Sequence, residues 1–363
     1  MNLNYSDEQL MLQEQIAKFC SADYSFDKRE KIIANSLGHS IEIWNQFAEL
    51  GWLALPFSEK NGGLDFGPIE LSILFEEFGK ALVVEPYLST VVMSGYLLDN
   101  SSVDSSALIE EIISGTTHVS TAYVEANSGY DYLNPQTQIL NGKLNGNKSI
   151  VLNAKHAKHF IVSASDNSEM LIALVAADAA GVSFNSFRTF DGQTCGDVSF
   201  ENVDISEHAI LFKGDEAIAA LNEMINYATL CVSAEAVGCM SETVKKTVEY
   251  TKERQQFGVP ISSFQVLQHR MVEMFMEAEI SKSLLIKSML QLNSKDPNAL
   301  KTLSSLKAQI GKSGKFVGQE AVQLHGGMGV SNEMSIGHYL KRLTAIDSQF
   351  GNRSYHIKKF MHL

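Results

Sequence analysis

The sequence has few cysteines and no excess of basic residues. Four cysteines, Cys20, Cys195, Cys231 and Cys239, stand far apart without a C-x-x-C pair. We therefore expect free thiols in a reducing cytoplasm rather than disulfides or a zinc site. Lys and Arg number 29 against 42 Asp and Glu, which gives a net charge of −13. This balance argues against nucleic acid and anionic membrane surfaces as partners, although a few local arginines can still bind an acidic ligand.

Long hydrophobic runs are also absent. No stretch approaches the roughly 18 apolar residues that a membrane-spanning helix needs, and the polar start shows no secretory signal. We therefore expect a cytoplasmic protein with no membrane partner. Hydrophobic residues make up 45 % of the 363 positions, which is ordinary for a globular protein. At roughly 100–200 residues per domain, the chain should form two or three domains.

The hydrophobic pattern predicts three domains and an α+β multidomain fold. Residues 1–115 are predicted to form an N-terminal α-helical domain, because their apolar residues recur at helical spacing. Residues 116–213 contain short β-rich runs between turn signals, which predict a small antiparallel β domain, a barrel or sandwich. Residues 214–363 contain four long apolar-periodic segments without strand signals, a pattern typical of a four-helix bundle.

Capping and turn signals locate single elements. A capping box at Ser6-Asp7-Glu8-Gln9 predicts the start of the first helix, and another at Ser262-Ser263-Phe264-Gln265 predicts the start of the second bundle helix. Asn141-Gly142 predicts a hairpin turn. The other helices and strands predicted before the bundle are Ile41–Leu50, Leu71–Leu82, Ser106–Ile113, Val119–Val124, Gln138–Leu140, Ile150–Leu152, Phe160–Ala164, Leu171–Val175 and Val198–Phe200.

Two segments that lie far apart in the sequence carry residues suited to a phosphate group. The first is Arg254-Gln255-Gln256-Phe257-Gly258, and the second is Gln323-Leu324-His325-Gly326-Gly327. A guanidinium can bind oxyanions with two parallel hydrogen bonds, and glycines let backbone N–H groups approach them closely. Together the two segments suit a buried pyrophosphate.

These residues also have purely structural interpretations. Arg254 can offset the dipole at the end of a long helix, an effect of about 0.3–1 kcal/mol, and taken alone this interpretation is favoured. Gly326 and Gly327 can form a helix C-cap, which is compatible with holding a phosphate. Phe257 suits packing as well as a wall of a cofactor site. The presence of both segments in one chain favours cofactor contact.

With a helical domain, a small β domain and a helical bundle that contains both segments, the chain resembles acyl-CoA dehydrogenases over nearly its whole length. Pro56–Leu64 is similar to the family's loop in the first domain, and Asn145–Asn153 to its mid-domain strand pair. The nearer resemblance is to a bacterial branch that includes pimeloyl-CoA dehydrogenase small subunits. It rests on Phe78–Tyr87, Gly337–Thr344 and Phe350–His356.

The resemblance implies FAD as cofactor and an acyl-CoA thioester as substrate. In this family a carboxylate removes the α-proton while the β-hydrogen leaves as hydride to the flavin, and an electron-transfer flavoprotein is the implied electron acceptor. The resemblance also assigns cofactor contacts that reach across a dimer to the adenosine-diphosphate half of the neighbour's FAD. These fall on Arg254, Gln256, Phe257, Gln323, Gly326 and Gly327.

Several positions depart from the family pattern. Phe350 stands before Gly351, where the family's glutamate base is expected, and Ala228 stands where some relatives carry the base instead. A general base is commonly worth about 10²–10⁴-fold in rate, and the catalytic residue of this chain is not identified. Ile150 and Leu152 replace a tryptophan and a threonine near the flavin ring.

Three hypotheses follow. The chain keeps residues that it would give to a partner and has lost several that it would use itself. The leading hypothesis is therefore the base-lacking subunit of a hetero-oligomeric FAD acyl-CoA dehydrogenase, with a homologous flavin-bearing partner. The second is a self-sufficient homo-oligomer whose base is displaced to His356, Asp347 or Glu235, and the third is a non-catalytic scaffold or CoA-ester-binding protein. For the enzyme, the branch resemblance implies CoA thioesters of dicarboxylic, aromatic or ring-derived acids.

Overall fold

The computed structural model describes residues 5–167 and 169–363, in which eleven α-helices and ten β-strands are found. The helices are α1 (Asp7–Asp23), α2 (Phe26–Ala34), α3 (Ile41–Glu49), α4 (Pro68–Ala81), α5 (Gly95–Asp99), α6 (Ser106–Ile113), α7 (Asp215–Glu253), α8 (Gln265–Asn293), α9 (Ala299–His325), α10 (Ser335–Ser348) and α11 (Arg353–His362). The strands are β1 (Val119–Ala122), β2 (Gln138–Leu140), β3 (Lys143–Leu152), β4 (His159–Asp166), β5 (Glu169–Ala176), β6 (Val182–Arg188), β7 (Thr194–Asp204), β8 (Ile210–Lys213), β9 (Gln255–Gln256) and β10 (Val259–Pro260). Within these residues, no helix combines the length and apolar character that crossing a membrane requires.

The α+β fold class is confirmed, since helices come before and after a central sheet. The chain divides into two compact units, each built from separate stretches. The helical unit contains the described part of Met1–Glu30 together with Gly67–Val83 and Thr229–Leu363. The β unit contains Lys31–Phe66 and Val84–Ala228. The division into three domains at residues 115 and 213 stays a prediction.

The two predicted capping boxes of the helical unit have different outcomes, at the start of α1 and at the start of α8. The capping box at α1 is confirmed, because Ser6 Oγ accepts from Gln9 N (3.2 Å) and Gln9 Oε1 accepts from Ser6 N (2.9 Å). The capping box predicted for α8 is wrong. Residues 261–263 form a 3₁₀ turn, in which Ser263 Oγ donates to Pro260 O (2.7 Å), so α8 begins at Gln265 without a side-chain cap.

The last predicted bundle helix is split in two, and one short strand pair interrupts the bundle. Helices α10 and α11 are separated by a turn that contains Phe350. Strands β9 and β10 form a hairpin after α7, in the segment that begins with Arg254. Both departures from regular helix therefore fall on segments that the sequence marks as functional.

Glycines bring α4 and α7 into backbone contact in the helical unit. A Cβ on Gly79 would lie 2.0 Å from Glu235 O, and a Cβ on Gly238 would lie 1.9 Å from Glu76 O. Such distances exclude any side chain, so the two helices cross at the closest approach that polypeptides allow. This crossing holds Glu235 deep between helices.

The β unit is built on a sheet in which the strand order is β6-β7-β3-β2-β4-β5-β8, with β1 beside β4. The predicted Asn141-Gly142 hairpin is confirmed by the β2–β3 pairing and by positive φ at both turn residues. Most pairings are antiparallel, as expected, but β1 and β2 each pair with β4 in parallel. Parallel neighbours need a long connection, and the chain between β1 and β4 supplies one. The sheet is therefore mixed.

Three histidines pack together where residues 35–39 lie on the sheet of the β unit. The ring of His39 lies 5.1 Å from that of His118 and 4.7 Å from that of His156, centroid to centroid. Trp44 covers His118 at 4.8 Å. Burial and the neighbouring imidazole lower the pKa of His39 to about 4 and that of His118 to about 3. The cluster is consequently neutral at pH 7.

Three side chains donate hydrogen bonds to the consecutive backbone carbonyls of residues 35–37. Arg188 donates to the carbonyl of Asn35, Lys155 Nζ donates to that of Ser36 (2.7 Å), and His156 Nε2 donates to that of Leu37 (2.7 Å). Lys158 further lowers the pKa of His118, and Lys155 that of His156, after burial as the main cause.

Lower pH should destabilise the packing of residues 35–39 on the sheet, because the buried histidines are neutral in the folded protein. The unfolded histidines bind protons below about pH 6.5 whereas the folded ones do not, so stability is fully present above that pH and falls as the pH drops towards 4. Replacing His118 by Phe keeps a ring and removes a titrating group. We expect the loss of unfolding free energy between pH 7 and 4.5 to shrink by about 1–3 kcal/mol, measured by urea denaturation. The same change at exposed His208 is the control, and equal pH slopes in all three proteins would contradict the prediction.

Candidate functional site

The structure brings the two predicted phosphate-binding segments together at one end of the helical unit. Tyr250, in the last turns of α7, stacks on His325, the last residue of α9, with ring centroids 4.2 Å apart and an interplanar angle of 23°. The Tyr250 hydroxyl donates to His325 O (3.4 Å). Arg254 follows Tyr250 by one turn, and its backbone N–H donates to Tyr250 O (2.9 Å). The two segments are thus neighbours in space.

The Arg254 segment projects into solvent. Arg254 O accepts from Ile261 N (2.8 Å) and so closes the base of the β9–β10 hairpin. Among residues 5–167 and 169–363, neither a hydrogen-bond nor an ion-pair partner is found for the Arg254 guanidinium. Gln256 is exposed, and its Nε2 donates only to Gln255 O (2.9 Å). Phe257, at the tip with φ +56°, is 94 % exposed, and its ring lies 6.4 Å from that of Phe264, edge to face.

Two glycines follow α9, and the backbone conformation requires a glycine at Gly326 but not at Gly327. Gly326 N donates to Gln323 O and has φ +60°, a conformation that glycine adopts without strain. Gly327 has no positive φ, and a Cβ there would meet no atom within 4 Å. Gln323 is exposed beside them. The absence of a side chain at Gly327 therefore has no explanation inside this chain.

These segments fit the adenosine-diphosphate half of a dinucleotide. An arginine without an internal partner, two open glycines and an exposed glutamine offer charge and backbone donors to phosphate oxygens. Arg254, Gln323, Gly326 and Gly327 would hold that half, with Gln256 and Phe257 at the rim.

The expected position of the base is occupied by a buried aromatic ring in a tightly held turn. Phe350 is 4 % exposed and has φ +56°, a conformation that strains bulky residues and is common at functional sites. His356 Nε2 donates to Phe350 O (3.0 Å). Lys307 Nζ donates to Asp347 O (3.0 Å) and to Gly351 O (2.8 Å). These hydrogen bonds define the conformation of the turn, but the Phe350 side chain cannot accept a proton.

The candidates for a displaced base have structural roles. His356 is 2 % exposed, and burial together with the charge of Lys307 lowers the pKa of His356 to about 3, which makes it a very weak base. Asp347 Oδ1 accepts from Arg353 N (3.2 Å) and packs against Gly311. Glu235 forms a bidentate ion pair with Arg342, with 2.5 Å to Nε and 2.6 Å to Nη2, and both side chains are buried. Glu235 and Asp347 are engaged through their carboxylates, and His356 through Nε2 alone.

Ile150 and Leu152 are the two positions of the β unit that the resemblance places near the flavin ring, and they offer no aromatic surface for stacking. Ile150 is 55 % exposed with φ +53° at a bulge in β3, and its N–H donates to Asp197 Oδ1 (3.1 Å). Leu152 is half-buried. Neither side chain supplies a ring or a hydroxyl. Ala228, the alternative base position, is fully buried in α7.

The loop after β1 is rigid and acidic. Glu125 accepts from Lys148 Nζ (2.8 Å) and from both the backbone N–H and the hydroxyl of Thr137 (3.0 and 2.7 Å). Burial alone would raise the pKa of Glu125, but Lys148 and these donors lower it to about 2. An adjacent cavity of about 620 Å³ is lined by Glu125 and Asp131 and by no lysine or arginine. It therefore offers no second site for a phosphate group.

Comparison with known families identifies the class of protein. The model of the acyl-CoA dehydrogenase N-terminal domain matches residues 6–102, and that of the C-terminal domain matches residues 218–358. The chain belongs to the acyl-CoA dehydrogenase family, the FAD-dependent oxidoreductases that act on the CH–CH bond of acyl-CoA thioesters.

Individual relatives are distant but span the whole chain. Probable acyl-CoA dehydrogenase YngJ of Bacillus subtilis (strain 168) is 26 % identical over 94 % of this chain and 93 % of its own length. The ChsE4–ChsE5 complex from Mycobacterium tuberculosis matches with a TM-score of 0.90 at 20 % identity, over 100 % of this chain and 98 % of that chain. A Tcur3481–Tcur3483 steroid ACAD variant matches with a TM-score of 0.89 at 24 % identity, over 98 % and 97 %. These solved structures share the fold.

Substitutions at Gly326 and Gly327 can separate an effect on FAD binding from an effect on the free energy of unfolding. Gly327→Ala should change the unfolding free energy by less than about 1 kcal/mol, because its backbone and surroundings accept a Cβ. It should nevertheless weaken FAD binding at least tenfold. Gly326→Ala is the matched variant and should cost about 1–2 kcal/mol of stability through its positive φ. Denaturation of the chain and FAD titration of the flavin-binding assembly that contains it give the two quantities, and wild-type FAD affinity in an assembly with Gly327→Ala would refute the assignment.

Glu235 should behave as a structural residue. Glu235→Gln leaves Arg342 buried without its counter-ion, so we expect a loss of about 3–5 kcal/mol in unfolding free energy. Replacing both residues by Met should recover most of that loss, because a buried pair can be exchanged for apolar residues at little cost. A Glu235→Gln protein that is stable but inactive would instead point to a base.

Proposed function

We propose that this chain is the base-lacking subunit of a hetero-oligomeric FAD acyl-CoA dehydrogenase. It would lend the Arg254 and Gln323–Gly327 segments to the FAD of a homologous subunit, and that subunit would supply the carboxylate base and the contacts to the flavin ring. The single observation that carries this proposal is a contrast. The segments proposed to face the nucleotide are exposed, and no partner for the Arg254 guanidinium is found among residues 5–167 and 169–363. Phe350 and the alternative bases are instead buried or internally bonded.

The surface of α8 supports a partner of similar fold. Val272, Met276 and Ile280 recur every four residues and are 55, 53 and 45 % exposed, and further exposed apolar side chains extend this face at Val266 and Phe275. Exposed apolar side chains grouped on one helix face in this way are typical of a protein interface, here with His269, Glu273 and Glu279 exposed among them. Phe257 lies on the hairpin that precedes α8. A second helical bundle that covers this face would bring its own FAD near the hairpin.

The complexes among the structural neighbours are consistent with mixed assembly. Two of the matched structures, ChsE4–ChsE5 and Tcur3481–Tcur3483, are named as pairs of different chains. Their likeness to this chain extends over nearly its full length. A homo-oligomer would use the same apolar face but would lack a base in every subunit.

This chain's part in the reaction would be to bind and orient. Bound FAD supplies the oxidising power that takes the β-hydrogen of the substrate as hydride. Arg254 would neutralise the pyrophosphate charge, and the open backbone at Gly326 and Gly327 would donate to its oxygens. Phe350 would contribute an apolar wall that excludes water without exchanging a proton.

We propose CoA thioesters of dicarboxylic, aromatic or ring-derived acids as substrates and an electron-transfer flavoprotein as acceptor. Both proposals extend the resemblance of residues 78–87, 337–344 and 350–356 to the pimeloyl-CoA dehydrogenase small-subunit branch.

Co-expression with a homologue from a neighbouring gene tests the assembly. The complex should purify with bound flavin and reduce an artificial electron acceptor with an acyl-CoA, whereas each chain alone should do so at most weakly. If this chain alone is yellow and active, the proposal is wrong.

Phe350→Leu sharpens the test within the complex. Leucine preserves an apolar residue and neither adds nor removes a proton acceptor, so kcat should stay within about threefold of wild type. Replacement of the partner's glutamate by glutamine should reduce kcat by about 10²–10⁴-fold. A collapse of kcat in Phe350→Leu, with FAD retained, would place chemistry in this chain.

A further inference from the structure

A cavity of about 360 Å³ opens in the helical unit between α1, α4, α7 and α10. Its volume lies at the lower end of the range of small-molecule sites. In the described part of the chain, none of the residues that line it belongs to the Arg254 segment, to Gln323–Gly327 or to the Phe350 turn. The cavity is therefore separate from the candidate site for FAD and substrate.

Positive charge exceeds negative charge along the walls of this cavity. Lys80, Lys245 and Lys246 line it, against Glu77 and Glu242. Lys80 Nζ donates to Glu77 Oε1 at 2.6 Å, so these two charges are paired. Lys245 and Lys246 share Glu242, whose carboxylate oxygens lie 3.8 and 3.5 Å from the two Nζ atoms. One carboxylate cannot neutralise two ammonium groups, so one positive charge of the cavity wall is left over.

The carbonyl end of α4 does not turn the cavity into a cation site. A helix C-terminus attracts positive charge through its free carbonyls. Here the carbonyl of Lys80 accepts from the Tyr339 hydroxyl (2.5 Å), and that of Leu82 accepts from Arg29 Nε (2.8 Å). These carbonyls already have donors from the protein, so the ammonium groups of α7 determine which charge the cavity favours.

The remaining walls are largely apolar. Ala17, Phe26 and Leu82 line the cavity, together with Tyr24 and Tyr339, which are 2 and 3 % exposed. A fully hydrated ion such as inorganic phosphate gains nothing from such walls. A molecule with an apolar body and one carboxylate can bury its carbon atoms against them and keep its charge beside the lysines.

We propose that this cavity binds a small carboxylic acid in its anionic form. The carboxylate lies beside Lys245 and Lys246, and the apolar body packs against α1 and α4. The site goes beyond the proposed function and does not depend on it. Because its walls come from helices at both ends of the chain, a bound acid joins α1 and α4 to α7 and α10. Binding to the folded chain alone stabilises it by mass action.

Benzoate and benzamide are the first pair of probes, because they have nearly the same shape and differ in charge. Calorimetric titration of the full chain should give a dissociation constant of about 1 mM or lower for benzoate, an affinity within reach of so small a ligand. Benzamide should bind at least about tenfold more weakly. Hexanoate is the aliphatic counterpart. If both acids bind more weakly than about 10 mM, or if benzamide binds as tightly as benzoate, the proposal is wrong.

Glu242→Gln tests the sign of the charge that the ligand carries. This change removes the carboxylate that competes for Lys245 and Lys246, so benzoate binding should tighten about threefold to tenfold. The double change of both lysines to glutamine should weaken it at least about tenfold. Glu249→Gln and Lys252→Gln, on the same helix but outside this cavity, are the matched controls and should leave the affinity unchanged. Equal or weaker benzoate binding in Glu242→Gln overturns the assignment of an anion.

Cys20 reports whether the acid occupies this cavity. It lines the cavity and is 8 % exposed, whereas the other three cysteines are at most 1 % exposed. Alkylation of Cys20 by iodoacetamide, followed by mass spectrometry, should slow as benzoate binds and should be unaffected by benzamide. Ala17→Met fills the cavity from α1, and Ser21→Met does so from its exposed rim. Benzoate binding that persists in both folded variants, or that leaves the alkylation rate of Cys20 unchanged, places the ligand elsewhere and overturns the proposal.

Discussion

A buried lysine fixes the turn between α10 and α11 in the helical unit. Lys307 has no exposed surface, and its Nζ donates to carbonyls on both sides of position 350, those of Asp347 and Gly351. Burial lowers the pKa of Lys307 to about 7. A buried ammonium is tolerated only while its hydrogen bonds are made, so the turn must keep this shape whatever side chain it carries. Phe350, which can perform no acid–base chemistry, thus lies in a turn of fixed shape at the position where the family resemblance expects the base.

The functional segments differ in whether their polar groups are satisfied inside the chain. Glu235 and Asp347 are bonded to neighbours through their carboxylates. His356 donates through Nε2 to Phe350 O, whereas no partner for its buried Nδ1 is found among residues 5–167 and 169–363. At the other end of the helical unit, Phe257 is exposed and a Cβ on Gly327 would meet no atom within 4 Å. The proposed cofactor contact would use this open end.

The sequence predicts the fold class well, because hydrophobic period depends on local pattern. The nucleotide segments stay a prediction. Sequence pattern fails where tertiary contacts decide. The capping signal at Ser262 is local, yet a 3₁₀ turn uses the Ser263 hydroxyl differently. Strand β6 was missed because nearly all its residues are exposed, which leaves no alternation to detect. The Tyr250–His325 stack is invisible to sequence spacing, since the two residues come from different helices.

The Lys307 and His325 ends of α9 are far enough apart for a substitution near one end to leave the contacts at the other unchanged. Lys307 and His325 lie on the same helix, α9, about 27 Å apart along its axis at 1.5 Å per residue. A substitution at the Lys307 end, such as a buried phenylalanine in place of a carboxylate, gains about 1.5–3 kcal/mol from apolar burial. It leaves the contacts around His325 and Gly327 untouched. In a homo-oligomer such a change removes every base at once, but in a mixed assembly the partner's base remains and only the nucleotide end stays under constraint. Under the proposed mixed assembly, an open nucleotide end and a turn without a base would occur together in a subunit that works on its neighbour's cofactor.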